Sequence, residues 1–325
     1  MVKISIAMAT YNGAQYIQEQ LQSFIKQTRQ PDELIITDDC SADQTEAIVR
    51  EFAKTAPFTV EFHRNEKNLG YCGNFNAALM KTAGDLVFLS DQDDVWFPQK
   101  IEHMIGVAER NPQALVVMND AALTDGDLNE VGLTKIGQIR SAGFPMKAFV
   151  MGCCCGIRRE LLDFCMPIPE GIKAHDNWLV HFAEAVNGKV VYNRVLQYYR
   201  RHETNESQFI ANRTTKVNRR HAFLHSIKKT LLQGDIRQEE QEQLAQQQLV
   251  IDGIQRVLSV APEKYRSDLH SMLKTAEANA RTFKMRADVR GKSLIPRAFA
   301  TFWLLFRGEY RNSSGFKAVL RDLVG

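Results

Sequence analysis

Two hydrophobic periods take turns along the first 120 residues. Short runs rich in β-branched and apolar residues read as strands: KISIAMAT (3–10), ELIITDD (33–39), TVEFHRN (59–65), DLVFLSD (85–91) and ALVVMND (114–120). Helical patterns lie between them. AQYIQEQLQSFIKQT (14–28) sets Ile17, Leu21, Phe24 and Ile25 at helical spacing. SADQTEAIVREFAKT (41–55) opens on Ser41, an N-cap-type residue, and carries Ile48, Val49 and Phe52. GNFNAALMKTAG (73–84) and PQKIEHMIGVAER (98–110), with Pro98 in its first turn, complete the set. Strand–helix alternation at this spacing predicts an α/β fold, a parallel, doubly wound sheet with helices on both faces. Ligands of such sheets bind outside the carboxyl ends of the strands. Four polar clusters fall there: TYN (10–12), DDCS (38–41), DQDD (91–94) and ND (119–120). They are expected to meet along one crevice.

The alternation loosens between 121 and 205. FPMKAFVMGCCCGIRRELL (144–162) reads as a strand or helix entry, a Gly-flanked turn and a short helix, and KVVYNRVLQYYR (189–200) as a strand. From 206 strands vanish, and EEQEQLAQQQLVIDGIQRVL (239–258) and YRSDLHSMLKTAEANARTF (265–283) are helical. The expected organisation is a catalytic domain over 1–205, with halves of about 1–120 and 121–205, followed by a helical C-terminal appendage over 206–325.

Composition narrows the choice. At 44% apolar and 24% charged the chain is an ordinary globular one, and a net charge of +3 is too small for a generic nucleic-acid binder. The N-terminal stretch lacks the long apolar region and cleavage site of a signal peptide. The longest C-terminal apolar run, AFATFWLLF, has nine residues, so no transmembrane helix is expected. The six cysteines form no CxxC pair, and Cys153, Cys154 and Cys155 are adjacent, which suits small, reduced, buried residues.

The chemistry concentrates in DQDD. Alternate residues of an extended segment point the same way, so Asp91 and Asp93 would aim two carboxylates into one space. Mg²⁺ or Mn²⁺ relieves such repulsion while holding substrate phosphates. A solvated acidic turn gives the same residues, and both readings stay open at this point. Asp39 suits the imide N–H of a pyrimidine base, with Tyr11 to stack on that base and Thr10 and Asn12 beside it. Turn chemistry explains the same residues. RNEKNLGYCGNFN (64–76), including Asn68, offers backbone to a nucleotide or is a capped loop.

ISIAMATYNGAQYIQEQLQSFIKQT, LIITDDCSADQT, NLGYCGNFNAAL and GDLVFLSDQDDVWFPQKI, in that order, resemble the successive motifs of family 2 glycosyltransferases with the GT-A fold. The resemblance covers about residues 1–205. SDQDDVW, HDNWL and YRRH are most similar to the rhamnosyltransferase-like branch, which builds bacterial surface polysaccharides. The resemblance implies a GT-A, Rossmann-like, mostly parallel sheet flanked by helices. It implies that Thr10, Tyr11, Asn12, Asp39 and Asn68 hold the nucleotide, that Asp91 and Asp93 hold the metal with His202, and that Asp94 and Trp96 shape the donor pocket. Arg200 and Arg201 suit phosphate oxygens. Asp176 falls at the position of the base that takes the acceptor proton, with His175 as the other candidate. The implied reaction is inverting and metal-dependent, from dTDP-rhamnose or a UDP-sugar to a glycan or polyprenyl-linked acceptor, in the cytoplasm.

Two other classes fit these residues less well. A nucleotidyltransferase would carry a Gly-rich basic loop after the first strand, which TYNGAQY lacks. A non-catalytic nucleotide-sugar binding or scaffold protein would have lost some of Asp39, Asp91, Asp93, Asp176 and His202, and all are present. In the tail, residues 291–325 hold six basic residues against two acidic ones beside Phe299, Phe302, Trp303, Leu304, Leu305 and Phe306. That combination suits peripheral contact with the inner face of the plasma membrane. Packing against the catalytic domain, or against a second subunit in a homo-oligomer, fits as well.

Overall fold

The computed structural model describes residues 2–203, 205, 207, 209–231, 236–310, 318, 319, 322 and 323. The chain divides into two compact units, residues 1–225 and 226–325.

In the first unit the alternating period builds β1 (Ile4–Thr10), α1 (Ile17–Ile25), β2 (Glu33–Asp38), α2 (Thr45–Ala53), β3 (Thr59–Arg64), α3 (Gly70–Leu79) and β4 (Leu86–Ser90). There follow β5 (Val95–Trp96), α4 (Lys100–Arg110), β6 (Val116–Thr124), β7 (Glu130–Thr134), α5 (Lys135–Ser141), β8 (Cys155–Arg158), α6 (Arg159–Cys165), α7 (His175–Ala185) and β9 (Lys189–Arg200). α8 (Arg219–Leu231) crosses into the second unit. Among the described residues the sheet has nine strands in the order β3-β2-β1-β4-β8-β6-β9-β5, with β7 on β6. Strands β1 to β4 are parallel; β1, β2 and β4 are buried on both faces, which explains their apolar runs, while the edge strand β3 is partly exposed and mixes polar with apolar residues. Ile4, Ile6, Met8, Leu34 and Phe88 pack with Leu21 and Phe24 of α1 and Ile101 and Met104 of α4.

The sheet is mixed rather than wholly parallel. β8 lies between β4 and β6 and runs antiparallel to both. Its small residues make room for it: a Cβ on Gly156 would sit 3.2 Å from both Phe88 Cε1 and Val117 Cγ2. Cys153, Cys154 and Cys155 are buried at this junction as free thiols.

Two local expectations are corrected. Asn119 and Asp120 do not end a strand, since β6 continues to Thr124; Asp120 Oδ1 instead accepts from the Ile136 amide. Ser41 does not cap α2, whose N-cap is Gln44; its hydroxyl donates to Asp38 and accepts from the Asn12 amide.

The second unit is helical. α9 (Ile236–Val260) and α10 (Glu263–Arg290) pack along one another, and α11 (Leu294–Phe306) joins a small core of Val289, Leu304, Tyr310, Ala318 and Val319. Buried Asp322 accepts from Arg286 Nε at 2.6 Å and from the Tyr310 hydroxyl at 2.8 Å, and Arg290 pairs with both Asp322 and Glu240. Among the described residues no helix is long and apolar enough to cross a membrane. Arg311, Lys317 and Arg321 of the basic tail lie outside the described residues.

Candidate active site

The loops after β1, β2 and β4 converge as the doubly wound pattern requires. Gln92 joins two of them: its Oε1 accepts from the Tyr11 amide at 2.9 Å and its Nε2 donates to the Tyr11 carbonyl at 3.0 Å. Gly13 belongs to this clamp, because a Cβ there would lie 2.2 Å from Gln92 Oε1. Asn12 adopts a left-handed backbone, φ 46°, and its side chain accepts from the Ala42 amide. The Tyr11 ring is left 51% exposed at the mouth of the crevice.

Asp39 and Asn68 tie the end of β2 to the start of α3. Asp39 Oδ1 accepts from the Leu69 amide at 2.7 Å and from Asn65 Nδ2 at 3.0 Å, and Asn68 donates to the Asp39 carbonyl. Thr10 behaves differently from expectation. It is buried, and its hydroxyl donates to Asp38 Oδ1 at 2.9 Å, so it braces the loop instead of facing the crevice.

Residues 91–94 bend and do not form an extended segment, so the Asp91 and Asp93 carboxylates take different partners. Asp91 and Asp94 gather with the Cys153 thiol, their ligand atoms all within 4.8 Å. Asp93 turns to His202 Nε2, 2.8 Å from its Oδ2, and accepts from Asn205 Nδ2 at 3.0 Å. Thus Asp93 lies beside His202, while Asp91 gathers with Asp94 and Cys153. Burial pushes the Asp91 carboxyl up to about 7, with the charges of Asp93 and Asp176 adding to the effect. Burial, then Asp93 and Asp91, holds Asp94 well above the ordinary carboxylate range. The Cys153 thiol is likewise held protonated by burial.

Asp94 is fully buried and accepts from Gln197 Nε2 at 2.8 Å. Gln197 also accepts from Lys100, whose buried ammonium donates to the Cys153 carbonyl at 2.7 Å and sits 3.8 Å over the Trp96 ring. Trp96 is therefore a core residue, packed on Phe24 and Phe88, and does not line a donor pocket. Arg200 is corrected as well. It is 3% exposed, and it donates to the Asp93 carbonyl, the Gly126 carbonyl and Glu19, so its guanidinium locks the turn from behind. Tyr16 lies between Arg200 and His202, 4.5 Å from the guanidinium and 4.8 Å from the imidazole. Arg201 covers Tyr199 and donates to its hydroxyl. Sequence reasoning missed Tyr16, Glu19 and Gln197, which read as ordinary helix and strand positions.

Asp176 stands in the first turn of α7, where the helix dipole favours a carboxylate, and its charge reaches both Asp91 and Cys72. Gly152 allows α7 to approach so closely: a Cβ there would be 2.9 Å from His175 Nε2 and 3.5 Å from Asp176 Cβ. His175 is buried, stacked on Phe75 at 4.0 Å, and neither ring nitrogen has a partner among the described residues. Burial keeps it neutral, which suits packing better than proton transfer.

A mixed sheet with a carboxylate turn at the end of its fourth strand, facing an acid on a helix N-terminus, defines a GT-A glycosyltransferase. The family model for glycosyl transferase family 2 matches residues 5–165, and the chain belongs to that family. It is 28% identical over 233 residues to an uncharacterised glycosyltransferase of Nostoc sp. PCC 7120, covering 66% of this chain and 70% of that one. It is 29% identical over 211 residues to the dTDP-rhamnosyl transferase RfbG of Shigella flexneri, covering 61% and 73%. Among solved structures, Staphylococcus aureus TarS in complex with UDP superposes with a TM-score of 0.54 at 20% identity, covering 86% of this chain and 91% of that chain; this likeness is one of fold.

Proposed function

We propose that the chain is a metal-dependent, inverting glycosyltransferase. It moves a sugar, rhamnose in the favoured reading, from a nucleotide-sugar donor to a hydroxyl of a glycan or lipid-linked acceptor in cell-surface polysaccharide synthesis. The observation that carries this is the gathering of Asp91 and Asp94 at the end of β4, with the charges of Asp93 and Asp176 within reach of Asp91. Carboxylates desolvated together in this way call for a cation.

In the structure Asp91 gathers with Asp94 and the Cys153 thiol, and Asp93 pairs with His202 beside them. A hard divalent ion would take oxygens of Asp91 and Asp93 and the His202 nitrogen in preference to the protonated thiol, a poor ligand by comparison. Bound Mg²⁺ or Mn²⁺ would supply stabilisation of the charge that develops on the leaving nucleoside diphosphate. The rest falls to the chain's own groups. The exposed Tyr11 ring stacks on the base, and Asp39 and Asn68 fix the loops around it. Asp176 accepts the acceptor hydroxyl's proton as the new bond forms, so a single displacement suffices and the anomeric centre inverts. Arg200 and Gln197 hold the Asp93–Asp94 turn in place.

Rhamnose is favoured by the likeness to the dTDP-rhamnosyl transferase across most of that protein. A UDP-hexose or UDP-N-acetylhexosamine donor is the second reading, favoured by 33% identity over 108 residues to the UDP-Glc-using glucosyltransferase WfgD of Escherichia coli, covering 33% of this chain and 42% of that one. The test is thermal stabilisation by dTDP and by UDP, each with and without Mn²⁺, followed by nucleotide release from dTDP-rhamnose and UDP-sugars. A ligand at a hundredfold excess over its Kd adds about 2.7 kcal/mol of stability. Stabilisation without turnover on any acceptor would point to a binding protein, and no metal-dependent stabilisation would overturn the proposal.

A further inference from the structure

We propose that the exposed face of α11 is a docking surface for an anionic phospholipid bilayer. The helix, LIPRAFATFWLLF, carries a single charged residue, Arg297. Its buried positions, Thr301 and Leu304, lie on one side, where Leu304 packs near Val289 and Tyr310. At about 100° per residue the opposite half of the cylinder gathers Ile295, Phe299, Phe302, Trp303 and Phe306, and Leu294 is exposed at the helix's first position. All six are more than half exposed, Phe299 at 75% and Phe306 at 94%. The water-facing side of a surface helix is normally polar. Here it is continuously apolar and more aromatic than the side that packs, which marks an interaction surface.

Charge selects the partner. Lys292 and Arg307 flank the helix, and the Arg307 guanidinium lies 4.5 Å over the Trp303 ring. A cation and an indole at one level suit the headgroup zone of a bilayer. The two acids of residues 291–325 do not oppose this. Asp322 is buried and taken by Arg286 and Arg290, and Glu309 accepts from Thr282. A helix of 13 residues is about 20 Å long, short of the ~30 Å hydrocarbon core, so it lies in the interface rather than across it. A second copy of the chain would also cover apolar surface, but it would bring the same flanking cations against one another.

Tryptophan emission reads this directly, because Trp96 and Trp178 are buried and Trp303 is 54% exposed. The full chain is mixed with vesicles of phosphatidylcholine alone or with phosphatidylglycerol, and is also followed by flotation. The expected result is a blue shift and co-flotation with the anionic vesicles, with binding about tenfold weaker to neutral ones. The double variant Phe299→Glu/Phe306→Glu loses both signals and keeps its unfolding transition and nucleotide release. A second variant, Lys292→Glu/Arg307→Glu, keeps the apolar face and loses the preference for anionic lipid. Failure of the intact chain to float with either vesicle overturns the proposal. So does flotation unchanged in the Phe variant, or a concentration-dependent dimer that the Phe variant breaks while vesicles leave the emission unmoved.

Discussion

His202 Nε2 lies 2.8 Å from Asp93 Oδ2, a contact that ties the chain after β9 to the turn after β4 across 109 positions. Tyr16 stacks on the imidazole at 4.8 Å and fixes its plane. Asp93→Asn and His202→Ala are each expected to lower kcat by about 10²-fold or more, since both groups belong to the proposed ion site. Each side chain is only 14% exposed and hydrogen-bonded, so a modest fall in the unfolding midpoint is expected beside the loss of turnover. Nucleotide release at saturating donor and Mn²⁺ is the check. Wild-type turnover in His202→Ala would remove His202 from the site.

Asp176 separates from its neighbour by chemistry. Asp176→Asn should cut transfer by about 10²- to 10⁴-fold, the range for loss of a general base, and leave nucleotide stabilisation unchanged. His175→Leu keeps the stacking volume against Phe75 and should retain most of the turnover. The opposite ranking, measured as kcat on one acceptor, would exchange their roles.

Gly152 predicts a steric effect on the same pair. In Gly152→Ala the new methyl would meet His175 Nε2 at 2.9 Å, so α7 must move away from the segment 152–154. The expected cost is about 1–3 kcal/mol of stability, with a fall in kcat because Asp176 moves too. Urea unfolding and turnover on one preparation test it, and an unchanged kcat would show that the α7 N-terminus lies outside the reacting geometry.

Arg200 is expected to act on stability. Arg200→Met removes donors from the Asp93 and Gly126 carbonyls as well as the Glu19 pair and should cost roughly 3 kcal/mol. Glu19 is half exposed, so Glu19→Gln should cost less than about 1 kcal/mol. Equal effects of the two in denaturant unfolding would contradict the hub role.

Tyr11→Ala tests base stacking. Because the ring is 51% exposed, folding should be untouched, while the KM for the donor rises by about 5- to 100-fold, equivalent to the 1–3 kcal/mol of a stacked base. Steady-state kinetics with varied donor checks it.

Hydrophobic periodicity by itself determined the strands and helices of residues 1–110, because a buried parallel strand and an amphipathic helix each need a local pattern of apolar positions. It also put Tyr11, Asp39 and Asp91 at strand ends, and composition marked the basic, aromatic stretch that α11 occupies. Tertiary structure alone decided that β8, four residues of CGIR, enters between β4 and β6, since what admits it is the missing side chain at Gly156, felt only against Phe88 and Val117. It also decided that Trp96 and Thr10 turn inward, that Arg200 reaches Glu19 across 181 positions, and that Asp91 gathers with Asp94 while Asp93 turns to His202. Those choices follow from desolvation. A buried charge or hydroxyl must find a partner, and the partner is set by which elements the sheet order brings together, a long-range quantity that no local pattern encodes.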